Sequence, residues 1–274
     1  MNIRMVVTDL DGTLARSDAK ISRNNRLMLG RLGQLGVCRV IASGRSLYSA
    51  RTVLEREFPI DYLVFSCGAG ILDCINDRII NAESLNKTVV QEITDLLMNR
   101  KVDFSVQDKI PNNHCFSYAQ HNQANNDFQK RLSLYQGYTR AFDADHVSDA
   151  SQVIAILGED IDQFTTLKKD CEQIDTRIIR ATSPLNGRSI WMEFLPSQVS
   201  KAFGIEFLCQ QLNINQQHTV GIGNDFNDID LLEYCRYSFV VDNTPDELKK
   251  TYPSVSSNDH NGFAEVIERF FPST

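Results

Sequence analysis

Asp9-Leu10-Asp11-Gly12-Thr13-Leu14 follows the apolar run Met5-Val6-Val7, and the fold turns on how this stretch is read. A short run rich in β-branched residues, stopped by Asp-Gly, predicts a buried strand ending in a tight turn. Asp9 and Asp11 stand two apart, a spacing that points both side chains to one face of an extended backbone. Two carboxylates converging at a strand end repel each other and raise a pKa unless a cation sits between them. Taken alone, Asp-x-Asp-Gly is equally a turn that favours those residues. The rest of the chain decides between the two.

Outward from this stretch, Ser17 to Gly36 carries Leu27, Leu29, Leu32 and Leu35 at near-helical spacing and predicts a helix. Val37 to Ala42 reads as a second strand ending in Ser43-Gly44-Arg45, and Tyr62 to Phe65 as a third after a short helical stretch. Strands and helices alternating in this way imply parallel pairing with right-handed crossovers. In open parallel sheets the ligand crevice lies at the carboxyl ends of the strands, so Asp9 and Ser43 are expected to converge. Gly68 to Leu72 and Arg78 to Ile80 then read as a hairpin around Ile75-Asn76-Asp77.

From Glu83 to Pro196 the pattern changes. Helices are expected at Val89–Leu97, Asn126–Tyr135 and Asp162–Ile174, and strands at 104–106, 115–118, 153–157, 177–181 and 189–194. This describes an α+β unit with an antiparallel sheet. The first pattern resumes with a helix from Val199 to Leu212, a strand from Thr219 to Gly223, a helix from Asn227 to Tyr234, a strand from Ser238 to Val241 and a last helix from Gly262. The fold class is therefore α/β: a doubly wound, Rossmann-like parallel core over 1–82 and 197–274, interrupted by an α+β insertion over 83–196.

A formal charge of −7 without a Lys/Arg cluster disfavours nucleic acid and acidic membranes as partners. It also does nothing to draw in an anion, so any phosphate affinity must be local. The seven cysteines contain no Cys-x-x-Cys pair, which argues for reduced thiols and against structural zinc. No stretch reaches membrane-spanning length and no signal-peptide core opens the chain, so a cytoplasmic protein is expected.

Three further stretches carry polar chemistry at predicted strand or helix ends. Ser43-Gly44-Arg45 offers a hydroxyl, a glycine that lets backbone approach a ligand, and a guanidinium suited to phosphate oxygens. Lys201 opens a helix, where a cation opposes the helix dipole, a hint of another duty. Gly223-Asn224-Asp225-Phe226-Asn227-Asp228 gathers oxygen ligands of the hard type that Mg²⁺ prefers. Capping of the helix accounts for one of these carboxylates and not for the cluster.

In this order the four segments resemble the four motifs of the haloacid dehalogenase superfamily, whose phosphatases carry Asp-x-Asp-x-Thr-Leu/Val first. Ser256 to Ala264 is similar to a C-terminal segment of its Cof-type members (subfamily IIB, which includes sugar phosphatases). The resemblance implies Asp9 as nucleophile, Asp11 as general acid and base, and Ser43 and Lys201 as further catalytic groups. It implies phosphate contacts from Leu10, Gly12, Gly44, Arg45 and Asn227, and Mg²⁺ held among Asp9, Asp11, Asn224, Asp225 and Asp228. The insertion becomes a cap that covers the site and selects a small phosphorylated metabolite; in it, the Pro111 to His114 segment and Arg188 are the candidate contacts. Two departures stand out. Asn224 occupies the place of a metal-binding Asp, and Cys67-Gly68-Ala69 replaces the usual Asn-Gly-Ala. The activity implied is Mg²⁺-dependent hydrolysis of a phosphomonoester, with a phosphomutase or an inactive phosphate-binding regulatory module as the alternatives.

Overall fold

The computed structural model describes residues 2–272. The first segment contains β1 (Met5–Thr8), α1 (Arg23–Gln34), β2 (Cys38–Ala42), α2 (Leu47–Ala50), β3 (Tyr62–Phe65), β4 (Gly70–Asp73) and β5 (Arg78–Ala82). Next come α3 (Lys87–Asn99), β6 (Phe104–Gln107), β7 (Phe116–Ala119), α4 (Asn126–Leu134), β8 (Thr139–Ala141), β9 (Gln152–Ile156), α5 (Ile161–Asp170), β10 (Thr176–Thr182) and β11 (Ile190–Pro196). The chain ends with α6 (Lys201–Gln211), β12 (Thr219–Gly223), α7 (Ile229–Tyr234), β13 (Tyr237–Val241), α8 (Asp246–Lys249), β14 (Ser254–Val255) and α9 (Gly262–Phe270).

Two compact units result. One runs to Asn81 and resumes at Ser200; the other is Ala82–Val199. The first holds an eight-stranded sheet in the order β14-β13-β12-β1-β2-β3-β4-β5. It is parallel from β14 to β3, and β4 joins β3 antiparallel. All four residues of β1 are buried, as a central strand covered on both faces requires. The connection order reverses at β1: later residues pair on its β12 side and earlier ones on its β2 side. A crevice at that reversal is dictated by topology, because flanking crossovers diverge there. Asp9, Ser43 and Asn224 each directly follow one of these three central strands.

The second unit holds a six-stranded sheet, β10-β11-β9-β6-β7-β8. Successive residues of β9 face opposite sides. Val153 and Ala155 join Ile93, Leu97, Phe104, Leu167 and Phe194 in one core, while Ile154 and Ile156 pack with Phe128 and Trp191 in another. Helices therefore cover both faces. The antiparallel expectation needs one correction: β8 pairs with β7 in parallel. Between them lies α4, and a helical crossover is what lets a chain return in the same direction.

Boundaries shift for local reasons. The helix expected from Ser17 begins at Arg23, because Ser22 caps it by accepting from the amide of Asn25. Ala15 and Ile21 form a β-bridge just before it. The short strands β8 and β14 have no signal in the sequence, since two or three residues carry no readable period. Among the described residues no helix is long and apolar enough to cross a membrane, and all seven cysteines are free thiols.

Asn25 ties this unit together. Fully buried on α1, it donates from Nδ2 to the carbonyl of Leu14 at 3.0 Å and accepts the amide of Ala264 at 3.3 Å. Asn25→Ala leaves two buried backbone groups without partners, so thermal or urea unfolding is expected to show a loss of about 2–4 kcal/mol.

Candidate active site

β1 ends in a loop that must carry two carboxylates without fraying. Its own turn supplies two bonds, Leu14 N to Asp9 O at 3.3 Å and Ala15 N to Leu10 O at 2.8 Å. Gly12 sits at φ +75°, a conformation natural to glycine. Four asparagines from separate elements hold the loop from outside. Asn243 Nδ2 donates to Gly12 O at 2.7 Å, Thr13 Oγ1 donates to Asn224 Oδ1 at 2.9 Å, and Asn25 and Asn258 donate to Leu14 O and Ala15 O at 3.0 Å each.

The carboxylates of the loop face different partners. Asp9, 5 % exposed, accepts from Lys201 Nζ at 2.7 Å through Oδ1. Lys201 is wholly buried at the first position of α6, capped by Ser200, and its Nζ also reaches Asp228 Oδ1 at 2.5 Å. Asp228 is itself fully buried; its Oδ2 accepts the amides of Asn224 at 2.8 Å and Asp225 at 3.1 Å. Gly223 makes room for this, since a Cβ there would lie 2.6 Å from Asp228 Cβ. Asp11 is bound at both oxygens by Arg45, Nε and one terminal nitrogen each at 2.7 Å. The remaining Arg45 nitrogen donates to the carbonyl and hydroxyl of Ser49, at 3.2 Å each.

Electrostatics follow from burial. Loss of water does most to raise the Asp9 carboxyl; Lys201 pulls it down, but Asp228 and Asp11 push it up again, and it ends above the ordinary carboxylate range. Burial alone would depress the Lys201 ammonium. The Asp228 and Asp9 carboxylates outweigh that, and the lysine stays charged above its ordinary pKa.

Ser43 is buried at the end of β2, and its Oγ accepts the amide of Arg45 at 3.1 Å. Next to it, a Cβ on Gly44 would meet Cys67 Sγ at 3.3 Å and Asn227 Nδ2 at 3.8 Å, so the second and fourth segments and the Cys67 turn crowd together. Ser66, Cys67 and Gly68 all have positive φ. The amide of Cys67 donates to Ser43 O at 3.0 Å, and a side chain on Gly68 would strike Ser200 O at 2.0 Å. This turn thus links the Ser43 strand to the cap of the Lys201 helix.

Of the residues singled out by sequence, Asp9, Lys201 and Asp228 meet directly, Asp11 and Arg45 meet as a pair, and Asn224 touches the Asp9 loop through Thr13. Asp228 spends its oxygens on Lys201 and on two amides of its own loop. Among the described residues no group of three His, Cys, Asp or Glu side chains is arranged to hold a metal. In the inserted unit, Arg188 is an exposed residue 3.5 Å from Glu159, and His114 stacks edge-on against Tyr138. Asn25 and Asn243 went unnoticed in the sequence, since a lone buried asparagine leaves no periodic or motif signal.

Comparison with known proteins is consistent along the whole chain. A family model for haloacid dehalogenase-like hydrolases matches residues 6–267. A 5-amino-6-(5-phospho-D-ribitylamino)uracil phosphatase of Bacillus subtilis is 23 % identical over 288 residues, covering 97 % of this chain and 98 % of its own. A crystal structure from Streptococcus mutans superposes with a TM-score of 0.83 at 17 % identity, covering 99 % of this chain and 100 % of that one. A sugar phosphatase of haloacid dehalogenase subclass IIB gives 0.77 at 16 % identity, covering 98 % and 99 %. The two structures speak for the fold.

Lys201→Met removes the ammonium from between two buried carboxylates. A loss of about 3–5 kcal/mol is expected, read as a lowered melting temperature with chelator present. Without the lysine, Asp9 loses the group that pulls its carboxyl down while burial still raises it, so the folded protein binds more protons and its stability falls as pH rises. The deficit is therefore larger at about pH 8 than at about pH 5.

Proposed function

We propose a reaction for this chain, which belongs to the haloacid dehalogenase-like hydrolases and is a phosphatase of their Cof type: hydrolysis of a small phosphomonoester, a sugar phosphate by preference, through an aspartyl-phosphate on Asp9. The observation that carries it is the buried Asp9–Lys201–Asp228 cluster beside a separately held Asp11. A nucleophile must be fixed and desolvated while its charge is balanced, and Lys201 does this for Asp9. The acid and base needs a partner of its own for its proton traffic; Arg45 binds both oxygens of Asp11 and holds it as a carboxylate, so it must release one oxygen before Asp11 takes up the proton it gives.

The steps assigned to the chain are these. Asp9 attacks phosphorus as the bond to the leaving oxygen breaks, and Asp11 gives that oxygen a proton. Asp11 then takes a proton from water, which attacks the acyl phosphate and returns Asp9. Ser43 Oγ, the neighbouring amides and Lys201 bind the phosphoryl oxygens, with Asn227 beside Gly44 on the same rim. Charge must be neutralised throughout, because a carboxylate approaches an anion only when their repulsion is offset.

The donor set fits a divalent cation, Mg²⁺ in this proposal. It consists of hard oxygens, and three carboxylates meet only two cationic side chains, with Asp9 already raised by burial and by its acidic neighbours. Asp9, Asp11 and Asn224 would hold the ion, with Asp225 nearby. When bound, it supplies Lewis-acid neutralisation of the phosphoryl oxygens. Selection of the organic part of the substrate is assigned to the Ala82–Val199 unit.

Asp9→Asn is expected to stay folded with a lowered melting temperature, because Lys201 loses one of its two counter-charges, and to cut phosphate release across a panel of metabolite monoesters by about 10⁴-fold or more, the scale on which nucleophile removal acts. Chelation should stop turnover and added Mg²⁺ restore it. Free phosphate as product separates hydrolysis from a mutase, and turnover in Asp9→Asn close to wild type would falsify the assignment.

A further inference from the structure

Asp9, Asp11 and Asp228 meet Lys201 and Arg45 at this site, and each of these cations is already engaged. Lys201 bridges Asp9 and Asp228, and Arg45 binds both oxygens of Asp11. Asp228 spends its other oxygen on the amides of Asn224 and Asp225. At the end of β12, where a further carboxylate would face the Asp9 loop, the residue is Asn224. Its Oδ1 accepts from Thr13, and its Nδ2 lies 2.6 Å from where a Cβ on Gly12 would stand, so the amide is turned onto that loop. A neutral amide offers an oxygen to a cation but no charge. Consistently, no three acidic, His or Cys side chains among the described residues form a metal set.

We propose that Asn224 leaves the protein's own ligands one charge short, so that a divalent cation binds firmly only together with the phosphate group. The phosphoryl oxygens would then supply the missing negative charge, making cation and phosphate binding mutually cooperative. This rests on the phosphatase reading above. Coupling of two ligands at one site is reciprocal, so each must raise the other's affinity by the same factor. A site built this way holds its cation when substrate is present and releases it when phosphate leaves.

The test uses the full chain and Mn²⁺ as the probe, with free Mn²⁺ followed by electron paramagnetic resonance and corrected against protein-free phosphate blanks. Saturating inorganic phosphate is expected to tighten Mn²⁺ binding to the wild type by about tenfold or more, within the usual range of coupling between sites. Asn224→Asp should bind Mn²⁺ more tightly without phosphate and show a smaller phosphate effect. Wild-type affinity that ignores phosphate overturns the proposal, and this arm needs no variant to fold. Equal affinities of wild type and folded Asn224→Asp without phosphate overturn it as well. Monoester hydrolysis that needs metal but shows no coupling sinks this inference alone. Absence of metal-dependent hydrolysis from every monoester sinks the phosphatase reading beneath it.

Discussion

One buried ammonium organises the unit that carries the eight-stranded sheet. Lys201 has no exposed surface and sits 2.7 Å from Asp9 and 2.5 Å from Asp228. Burying three charged groups is costly, and the cost is offset only while all three stay in contact with further hydrogen bonds around them. That requirement reaches into the backbone. Asp228 must also fix two amides of its own loop, Gly223 must lack a side chain, and α6 must begin where Ser200 can cap it. The sheet brings β1 and β12 side by side, so Asp9 and the Asp228 loop are neighbours before any side chain is considered.

Around this cluster, rigidity comes from neutral groups. The Asp9 loop is held by amide side chains of Asn25, Asn224, Asn243 and Asn258, from four different parts of the chain. Asparagine suits this work because it both donates and accepts without adding charge. A loop already carrying two carboxylates gains nothing from more charge nearby. Arg45 handles Asp11 differently, with a planar two-point grip that fixes direction as well as distance.

Much of this was legible in the sequence, for identifiable reasons. Strands β1, β2, β3 and β12 could be read because each is a short β-branched or apolar run stopped by Gly, Ser or Asp, and their alternation with helices fixed parallel pairing. Ser43 and the Asn224–Asp228 segment could be placed because they end such strands. The partner of Asp11 could not: the sequence offers Arg45 as a phosphate ligand, and only three-dimensional proximity shows it bound to a carboxylate 34 residues earlier. Asn25 and Asn243 were invisible because the loop they bind is close in space and far along the chain. The parallel β7–β8 pair was missed since three residues of β8 carry no pattern.

The margins of the two sheets have a consequence of their own. The eight-stranded sheet ends on one side in β14, two residues long and preceded by Pro253, and on the other in β5, which opens with an exposed arginine. The six-stranded sheet ends in β8, three residues with Arg140 at the centre, and in β10, which carries Arg177 and Arg180. Brevity, proline and positive charge are the devices by which unpaired backbone avoids recruiting a foreign strand. Among the described residues, each of the four sheet borders thus carries at least one device against edge-to-edge pairing when many copies are crowded together.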